Sequence, residues 1–233
     1  MCIQISLTCP HCGSSAIKRN GHNHMSKQNY MCKNCQVQFI SPLDLTYNGC
    51  RSGLNKKIKL MLVRGLGIRD ISVIENVSIG KVLSVLTDSK VLLKPKQTHY
   101  DCIEIDEFWT FVGSKEQKVW LIYAYHRKTG EIIAWVWGKR NLSTAKKLKK
   151  RLRELSITYD QVFTDNWISF IKTFCTDNLV IGKKNTIGIE GNNCRLRHRV
   201  RRAFRKTCCF SKNLLNHLKA FELAFFYINY GYV

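Results

Sequence analysis

The chain has 233 residues, of which 38 are Lys or Arg and 16 are Asp or Glu, so its formal net charge at pH 7 is +22. Hydrophobic residues make up 45% of the sequence, which is enough to build cores and excludes global disorder. Residues 1–100 carry 14 basic and 4 acidic side chains, and residues 101–233 carry 24 and 12, which excludes a single basic tail. A folded protein this basic is expected to bind a polyanion, with nucleic acid favoured over a membrane surface.

No segment has the length and unbroken apolar character of a transmembrane helix. The most apolar stretch, residues 214–233, contains five polar or charged residues and predicts a packed terminal helix instead. The N-terminus lacks the charged and apolar regions of a signal peptide. These features predict a cytoplasmic protein that has no membrane partner.

Two Cys-x2-Cys pairs stand near the N-terminus, separated by 19 residues. The pairs are Cys9 with Cys12 and Cys32 with Cys35. Each loop can turn two thiolates toward one tetrahedral ion, and the length between the loops suits a hairpin. We therefore predict a zinc ribbon over residues 1–42, in which four sulfur ligands hold a structural Zn ion. Four thiolates leave no open coordination position, so this metal would act on folding rather than on chemistry.

Other uses of these cysteines are weaker hypotheses. Two disulfides would require export, and a redox pair would not need two symmetric copies. His11, His22 and His24 are possible substitute ligands but are more typical of ordinary polar positions. The other seven cysteines have no ligand spacing, and we interpret them as reduced thiols that are mostly buried.

Residues 53–93 show three short helical patterns separated by turns. The expected helices are 54–64, 68–74 and 79–86. Ser78 is the expected N-cap of the third helix. This layout is typical of a helix-turn-helix domain, in which the last helix enters the major groove of DNA. Lys81, Ser84 and Lys90 are then expected to face DNA. The alternative is a generic three-helix bundle without a DNA contact.

From residue 100 to residue 233 the pattern changes to strands and then helices. The expected strands are 102–112, 118–126, 131–138 and 161–164, and the expected helices are 143–155, 166–174 and 186–205, followed by the terminal helix. Three strands, a helix, a strand and two more helices is the order of the ribonuclease-H-like fold. The predicted fold class is therefore α/β, a ribonuclease-H-like catalytic domain with a mixed sheet, preceded by a small zinc ribbon and an all-α helix-turn-helix.

In such a sheet, a carboxylate on the first strand lies beside one at the end of the fourth strand, and a carboxylate on the late helix completes the set. The residues in these places are Asp106, Asp165 and Glu190. They are predicted to be catalytic and to hold Mg or Mn, because two divalent ions about 3.5–4 Å apart need a cluster of oxygen ligands. Strand alternation places Asp106 on the face of Glu104 and opposite Glu107. The alternatives are that Asp165 only caps the next helix and that Glu190 is only a structural ion-pair partner.

The segment after Glu190 is rich in cations. On one continuous helix, Glu190, Arg197 and Arg201 would fall within about 40° of one another. One edge of that helix would present a carboxylate followed by arginines suited to phosphate. The DNA-binding residues predicted here are Arg195, Arg197, Arg201, Arg205 and Lys206. The alternative is a solvated basic face.

Several blocks of this sequence resemble the transposases of the IS1 (insertion sequence one) family. The blocks are EIDEFWTFVG at 104–113, FTDNW at 163–167, IEGNNCRLR at 189–197 and RKTCCFSK at 205–212. The zinc ribbon and the helix-turn-helix are also similar to the N-terminal part of those proteins. The 24 residues between Asp165 and Glu190 fit a DDE family with a short interval. Gly191 departs from the family pattern, in which a long, often basic side chain is expected.

The resemblance implies a DNA transposase that cleaves strands at insertion-element ends and transfers the 3′-hydroxyl into target DNA. It also implies that the N-terminal modules recognise terminal inverted repeats, and that the protein acts as a homo-oligomer on DNA in a prokaryotic nucleoid. One alternative is a DNA-binding transcriptional regulator that uses only the ribbon and the helix-turn-helix. The other is a structure-specific nuclease of the same fold. Retention of all three acids argues against the regulator.

Overall fold

The computed structural model of the chain describes residues 7–23, 26–40, 53–203, 206 and 209–233. The chain divides into two compact units, Met1–Ser52 and Gly53–Val233. Within the described ranges, no helix is both long enough and apolar enough to span a membrane.

The first unit contains a three-stranded antiparallel sheet in the order β1-β2-β3. The strands are β1 (Ile17–His22), β2 (Gln28–Cys32) and β3 (Gln38–Ile40). Ile17 pairs with Cys32, so the second cysteine loop begins where the hairpin ends. Tyr30 and Phe39 stack across β2 and β3 with ring centroids 6.0 Å apart, which is one of the aromatic contacts that stabilise neighbouring strands.

The second unit begins with three short helices. They are α1 (Leu54–Val63), α2 (Ile68–Ile74) and α3 (Ile79–Thr87), each within one residue of the expected bounds. Ser78 caps α3, since its hydroxyl accepts a hydrogen bond from the backbone N–H of Lys81 at 3.1 Å. Leu54, Ile58 and Val82 are among the buried residues that hold the three helices together.

A five-stranded sheet follows, in the order β6-β5-β4-β7-β8. The strands are β4 (His99–Phe111), β5 (Lys118–His126), β6 (Glu131–Gly138), β7 (Thr158–Thr164) and β8 (Leu179–Ile181). The first three strands pair antiparallel, whereas β7 pairs parallel with both β4 and β8. This mixed sheet with its central β4 is the ribonuclease-H-like arrangement, so the predicted fold class is confirmed.

Helices cover both faces of the sheet. They are α4 (Leu142–Glu154), α5 (Ile168–Phe174), α6 (Ile187–Arg199) and α7 (Leu214–Tyr230). Leu148 of α4 and Phe170 of α5 pack on one face, in the core that includes Ile105. Residues of α6 and α7 pack on the other face, in the core that includes Phe108. Each large apolar side chain buried in this way contributes about 1.5–3 kcal/mol.

The prediction of one continuous helix over 186–205 is wrong. Helix α6 ends at Arg199, Val200 takes an extended backbone conformation, and a 3-10 turn occupies Arg201–Ala203. Val200 and Ala203 are both buried against the α7 side of the sheet, and this packing bends the chain away from the helix axis. Arg201 therefore does not continue the helical edge that carries Glu190.

Candidate active site and metal centres

The four cysteines of the two Cys-x2-Cys loops lie together, with their Sγ atoms all within 4.8 Å of one another. Cys9 Sγ is 3.6 Å from Cys35 Sγ, and Cys12 Sγ is 3.6 Å from Cys32 Sγ. A tetrahedral ion with sulfur ligands at about 2.3 Å needs sulfur atoms about 3.8 Å apart, so the observed spacing suits zinc. His11 and His22 are exposed and do not belong to this group, and His24 lies outside the described residues.

The pKa values of the two cysteines of the second loop shift in opposite directions, since burial and the neighbouring cysteine side chains raise the pKa of Cys35 to about 12. The N–H of Cys35 lowers the pKa of Cys32 to about 6, and the N–H of Asn34 acts in the same direction. Cys32 itself is fully buried at the end of β2. Metal ligation needs deprotonated sulfur, so these backbone amides prepare Cys32 for a cation, whereas Cys35 would lose its proton when the cation binds.

The second cluster lies where β4 and β7 stop pairing. Their parallel ladder ends at the pair Ile105 and Thr164, and the next residues along the two strands are Asp106 and Asp165. One oxygen atom from each of Asp106, Glu107 and Asp165 lies within 4.8 Å of the others. The structure thus brings together two of the predicted acids and adds Glu107, which alternation had placed on the opposite face.

Asp106 is held by two hydrogen bonds. Its Oδ2 accepts from Nδ2 of Asn193 at 2.7 Å, and its Oδ1 accepts from the backbone N–H of Glu107 at 2.8 Å. Burial raises the pKa of Asp106 to about 7, and the nearby charges of Glu107 and Asp165 add to this effect. An opposing positive charge is therefore what this carboxylate needs in order to ionise fully at neutral pH.

Asp165 also has a structural contact. Its Oδ1 accepts a hydrogen bond from the backbone N–H of Trp167 at 3.0 Å, just before α5 begins. Trp167 is the N-cap residue of α5 and no side chain caps this helix, so the capping role that the sequence left open is not observed. The hydrogen bond from the Trp167 N–H instead closes a turn just before the helix. It occupies one carboxylate oxygen and is compatible with a second role for the other oxygen.

Glu107 forms a close ion pair with Arg140. Its Oε1 accepts from Arg140 Nε at 2.7 Å and lies 2.6 Å from Arg140 Nη2. Its Oε2 is buried and has no hydrogen-bond partner among the described residues. Burial raises the pKa of Glu107, while the bond from Arg140 opposes that shift.

Helix α6 carries the third predicted acid and contacts the acid cluster through a different residue. Glu190 is exposed in the first turn of α6 and is not among the carboxylates within 4.8 Å of one another. Asn193 stands three residues later, on the same side of the helix, and donates to Asp106. The Tyr123 hydroxyl donates to Asn193 Oδ1 at 2.8 Å. The face of α6 that includes Glu190 is therefore tied to the β4 acids through Asn193.

The beginning of α6 is fixed by a buried carboxylate. Glu104 is only 2% exposed, and its Oε2 accepts a hydrogen bond from the backbone N–H of Ile189 at 2.6 Å. Gly188 permits this approach, since a Cβ atom there would lie 2.7 Å from Glu104 Oε1. An acidic group at a helix N-terminus also interacts favourably with the helix dipole. Sequence reasoning mentioned Glu104 only for its face, and no local pattern revealed this distant contact.

The predicted DNA-binding residues lie in different environments. Arg195, Arg201 and Lys206 are exposed, and Arg205 lies outside the described residues. Arg197 is partly buried, with its guanidinium 4.4 Å from the centre of the Phe108 ring. Lys81 and Ser84 are partly exposed on α3, where the Ser84 hydroxyl donates to the Lys81 carbonyl at 3.0 Å.

The strand order and the acids at the end of the β4–β7 ladder define a ribonuclease-H-like protein of the DDE class. The profile of the IS1 transposase family matches residues 100–230, which is more than half of the chain. The chain therefore belongs to the IS1 transposase family. It is a DDE-type transposase, and DNA binding and use of a divalent metal follow from that family. The regulator and the nuclease are not favoured.

Two insertion-element proteins agree with this assignment. The chain is 40% identical to the insertion element iso-IS1n protein InsB of Shigella dysenteriae over 116 residues, which are 50% of this chain and 87% of the relative. It is 36% identical to the insertion element IS1 protein InsB of Shigella flexneri over 118 residues, with 51% and 88% covered. Among solved structures, a chain in the structure of the simian T-cell lymphotropic virus intasome in complex with PP2A regulatory subunit B56 gamma matches 70% of this chain over 66% of its own length, with 12% identity and a TM-score of 0.39.

Proposed function

We propose that this transposase cleaves DNA at the ends of an insertion element and joins the freed 3′-hydroxyl to target DNA, with Asp106, Asp165 and Glu190 as its catalytic acids. The observation that carries this proposal is the meeting of Asp106 and Asp165 at the end of the β4–β7 ladder, with carboxylate oxygens within 4.8 Å. Glu190 belongs to the proposal through its helix, because Asn193 one turn later is bonded to Asp106.

The donor set fits Mg or Mn, because all the donors are carboxylate oxygens, which these ions prefer. Asp106, Asp165 and Glu190 would hold the ions. Divalent ions in such a site activate an attacking oxygen and stabilise the leaving oxygen of an in-line displacement at phosphorus. The residues around the acids orient them, with Asn193 holding Asp106 and the Trp167 N–H holding Asp165.

Exposed cations near α6 are suited to the DNA backbone. We assign phosphate contacts to Arg195, Arg201 and Lys206, and to Arg205 beyond the described residues. Arg197 belongs to the same proposal, although its contact with Phe108 leaves only part of the guanidinium accessible. Such contacts position a duplex but do not read its sequence.

The N-terminal modules are assigned to recognition of the terminal inverted repeats. We propose that residues 1–42 form a zinc ribbon in which Cys9, Cys12, Cys32 and Cys35 hold Zn, supported by the 3.6 Å sulfur spacings. Residues 53–93 form the helix-turn-helix, with Lys81 and Ser84 on its recognition helix, and residues 100–233 form the catalytic domain. The protein would act as a homo-oligomer on DNA in the bacterial cytoplasm, at the nucleoid.

The test is a strand-transfer assay with purified protein, Mg²⁺ and labelled duplex that carries an element end. Asp165→Asn should abolish cleavage and joining while DNA binding persists, because the charge of the carboxylate is lost and the basic surfaces remain. Asp160→Asn, on the same strand but with a side chain that is 63% exposed, is the matched control and should keep activity. Unchanged cleavage by Asp165→Asn would refute the proposal. Binding without cleavage by the wild-type protein would favour a regulator, and cleavage without joining would favour a nuclease.

A further inference from the structure

Glu107 lies in one cluster with Asp106 and Asp165, but the proposed function gives it no role in the chemistry. One of its carboxylate oxygens lies within 4.8 Å of an oxygen of each of those residues. Its side chain is only 10% exposed, so water reaches little of it. This acid is therefore a buried neighbour of the proposed catalytic pair.

The pleat alone would keep Glu107 away from Asp106, because successive side chains on a strand point to opposite faces. The pairing between β4 and β7 ends at Ile105, so both residues lie beyond the last ladder pair on that side of β4. Side chains from either face can then reach around the free edge toward Asp165, which directly follows the last paired residue of β7. The end of the ladder explains how three acids from two strands meet.

The hydrogen bonds of Glu107 leave one oxygen atom unused. Arg140 makes both of its contacts to Oε1, and Oε2 is buried without a hydrogen-bond partner among the described residues. A buried acceptor without a partner costs about 1–3 kcal/mol, and more when it is charged. An ion-pair partner of Arg140 alone would gain most from sharing both oxygens in a bidentate contact. The observed contact leaves Oε2 available as a ligand.

Arg140 is itself held in place by aromatic rings. Its guanidinium lies 4.7 Å from the centre of the Trp167 ring and 5.6 Å from that of Trp120. Trp167 also donates its backbone N–H to Asp165, so one residue contacts both the acid of β7 and the partner of Glu107. The orientation of Glu107 and that of Asp165 are therefore linked through Trp167.

The charges of this cluster do not balance. Three carboxylates face one guanidinium, and like charges at this distance repel strongly where water is excluded. A divalent cation that touches all three acids would offset the remaining negative charge. Oxygen donors in this number and spacing are the ligands that such a cation takes.

We propose that Glu107 is a further ligand of the divalent cation held by Asp106 and Asp165, and that Arg140 is a positioning residue that presents Glu107 Oε2 to it. This inference rests on the proposed function, since the cation is the one assigned to Asp106 and Asp165. The competing interpretation is that Glu107 serves only as the structural partner of Arg140.

Mn²⁺ binding to the full chain without DNA tests the inference, with electron paramagnetic resonance to count free Mn²⁺ during a titration. Glu107→Gln should weaken Mn²⁺ binding by about tenfold or more, because a charged ligand is lost while side-chain size is kept. Glu116→Gln, the same change at an exposed site between β4 and β5, should bind Mn²⁺ as the wild type does. Asp165→Asn serves as the reference for loss of an assigned ligand.

The outcomes separate the two levels of the argument. If Asp165→Asn weakens Mn²⁺ binding and Glu107→Gln does not, the inference about Glu107 is overturned and the proposed site stands. If neither variant changes Mn²⁺ binding, the proposed site itself is refuted. Arg140→Gln should lower thermal stability and weaken Mn²⁺ binding less than Glu107→Gln does, because the ligand is still present. Equal stability losses in Arg140→Gln and Glu107→Gln with wild-type Mn²⁺ binding would identify a purely structural ion pair.

Folding of the variants is checked by circular dichroism before each titration. Should Glu107→Gln fail to fold, Glu107→Asp replaces it, because it retains the charge and shortens the side chain by one methylene. The inference predicts weaker Mn²⁺ binding for Glu107→Asp as well. Wild-type Mn²⁺ binding by that variant would overturn it.

Discussion

The cysteine cluster and the carboxylate cluster differ in how the chain assembles them. Each half of the cysteine cluster comes from four consecutive residues, so local spacing already brings two sulfur atoms within 4.8 Å of each other. The carboxylate cluster joins Asp106 and Asp165, which meet only because β4 and β7 pair in parallel. The first site is therefore predictable from short-range pattern. The second depends on where a long-range ladder ends.

The two clusters also differ in what a metal would do for them. A unit as small as the first one has little core of its own, so its metal would supply much of the folding free energy. The second unit has two extensive cores that do not depend on the acids. Its metal would relieve repulsion among buried carboxylates and leave the fold unchanged. The following predictions test this contrast, beginning with the largest expected effect.

Loss of one proposed zinc ligand should unfold the first unit and spare the second. For Cys32→Ser, we expect loss of bound zinc and rapid proteolysis within residues 1–52, because Cys32 is fully buried and three thiolates bind zinc more weakly than four. Limited proteolysis with mass spectrometry measures the effect, together with zinc analysis. Cys175→Ser, at an exposed position on the catalytic unit, is the control. A protease-resistant first unit in Cys32→Ser would show that the metal is not what stabilises it.

A methyl group at Gly188 should disturb the catalytic unit without unfolding it. The added Cβ would lie 2.7 Å from Glu104 Oε1 and 2.8 Å from Arg127 Cγ, so the buried Glu104 side chain or the start of α6, which carries Glu190, has to move. We expect strand cleavage to fall about 100-fold, since displacements near 1 Å in an active site have effects of that size. Cleavage kinetics measure this loss, and circular dichroism should show a folded protein. Normal cleavage would mean that α6 does not need its present position.

Asp106→Asn should stabilise the metal-free protein at neutral pH. The folded-state pKa of about 7 lies above the ordinary value of 3.8, so the folded chain binds the proton more tightly than the unfolded chain does. The stability that this protonation contributes is present at low pH and is lost as pH rises from about 4 to about 7. Asn has no such proton to lose and removes that loss, which is on the order of 4 kcal/mol at pH 7.5. Thermal melts in chelator across this pH range provide the measurement.

The same experiment has a second half with Mg²⁺. The ion should raise the melting temperature of the wild type at pH 7.5 more than that of Asp106→Asn, since only the wild type has the full set of charged ligands. Equal melting temperatures for the two proteins at every pH, with and without Mg²⁺, would contradict the claim that the buried acids repel one another and are relieved by a cation.

Gly191→Ala should have the smallest effect, a slight gain in stability. Gly191 lies within α6, and a Cβ atom there would have no neighbour within 4 Å. Ala is favoured over Gly inside a helix by about 1 kcal/mol, so the catalytic unit should melt at a slightly higher temperature. Cleavage should be retained. Comparison with Gly188→Ala shows whether three residues along one helix separate a tolerant from an intolerant position.

Much of the fold follows from local pattern. The caps at Ser78 and Asn141 mark where α3 and α4 begin, because each side chain accepts a backbone N–H of its helix. Alternation and turn residues likewise locate β4, β5 and β6. Strand β8, with only three residues, is too short to show alternation, and it exists because it pairs with β7.

The missed features are all consequences of tertiary contacts. The end of α6 before Val200 reflects burial against the α7 side of the sheet, and helical periodicity continues past it. Strand alternation alone places Glu107 on the face opposite Asp106. Glu107 nevertheless joins the acid cluster, because the β4–β7 ladder ends just before these two residues. Asp165 could be found from sequence because it directly follows a strand whose end is visible, and Asp106 because it lies within the first strand of the expected fold. The contact of Asn193 with Asp106 and that of Glu104 with the Ile189 N–H could not be found from sequence, because each joins residues that are far apart in the chain.

The central claim is that Asp106 and Asp165 hold the divalent ions of DNA cleavage, and a change of ligand atom at Asp106 tests it most directly. Asp106→Cys replaces a hard oxygen donor with a sulfur donor that accepts Mn²⁺ better than Mg²⁺. Strand transfer by this variant is measured in each ion, with Asp160→Cys as the control. The account predicts activity that is lost in Mg²⁺ and partly restored in Mn²⁺, whereas the control and the wild type work in both. Equal loss in the two ions, or full activity in Mg²⁺, would contradict it.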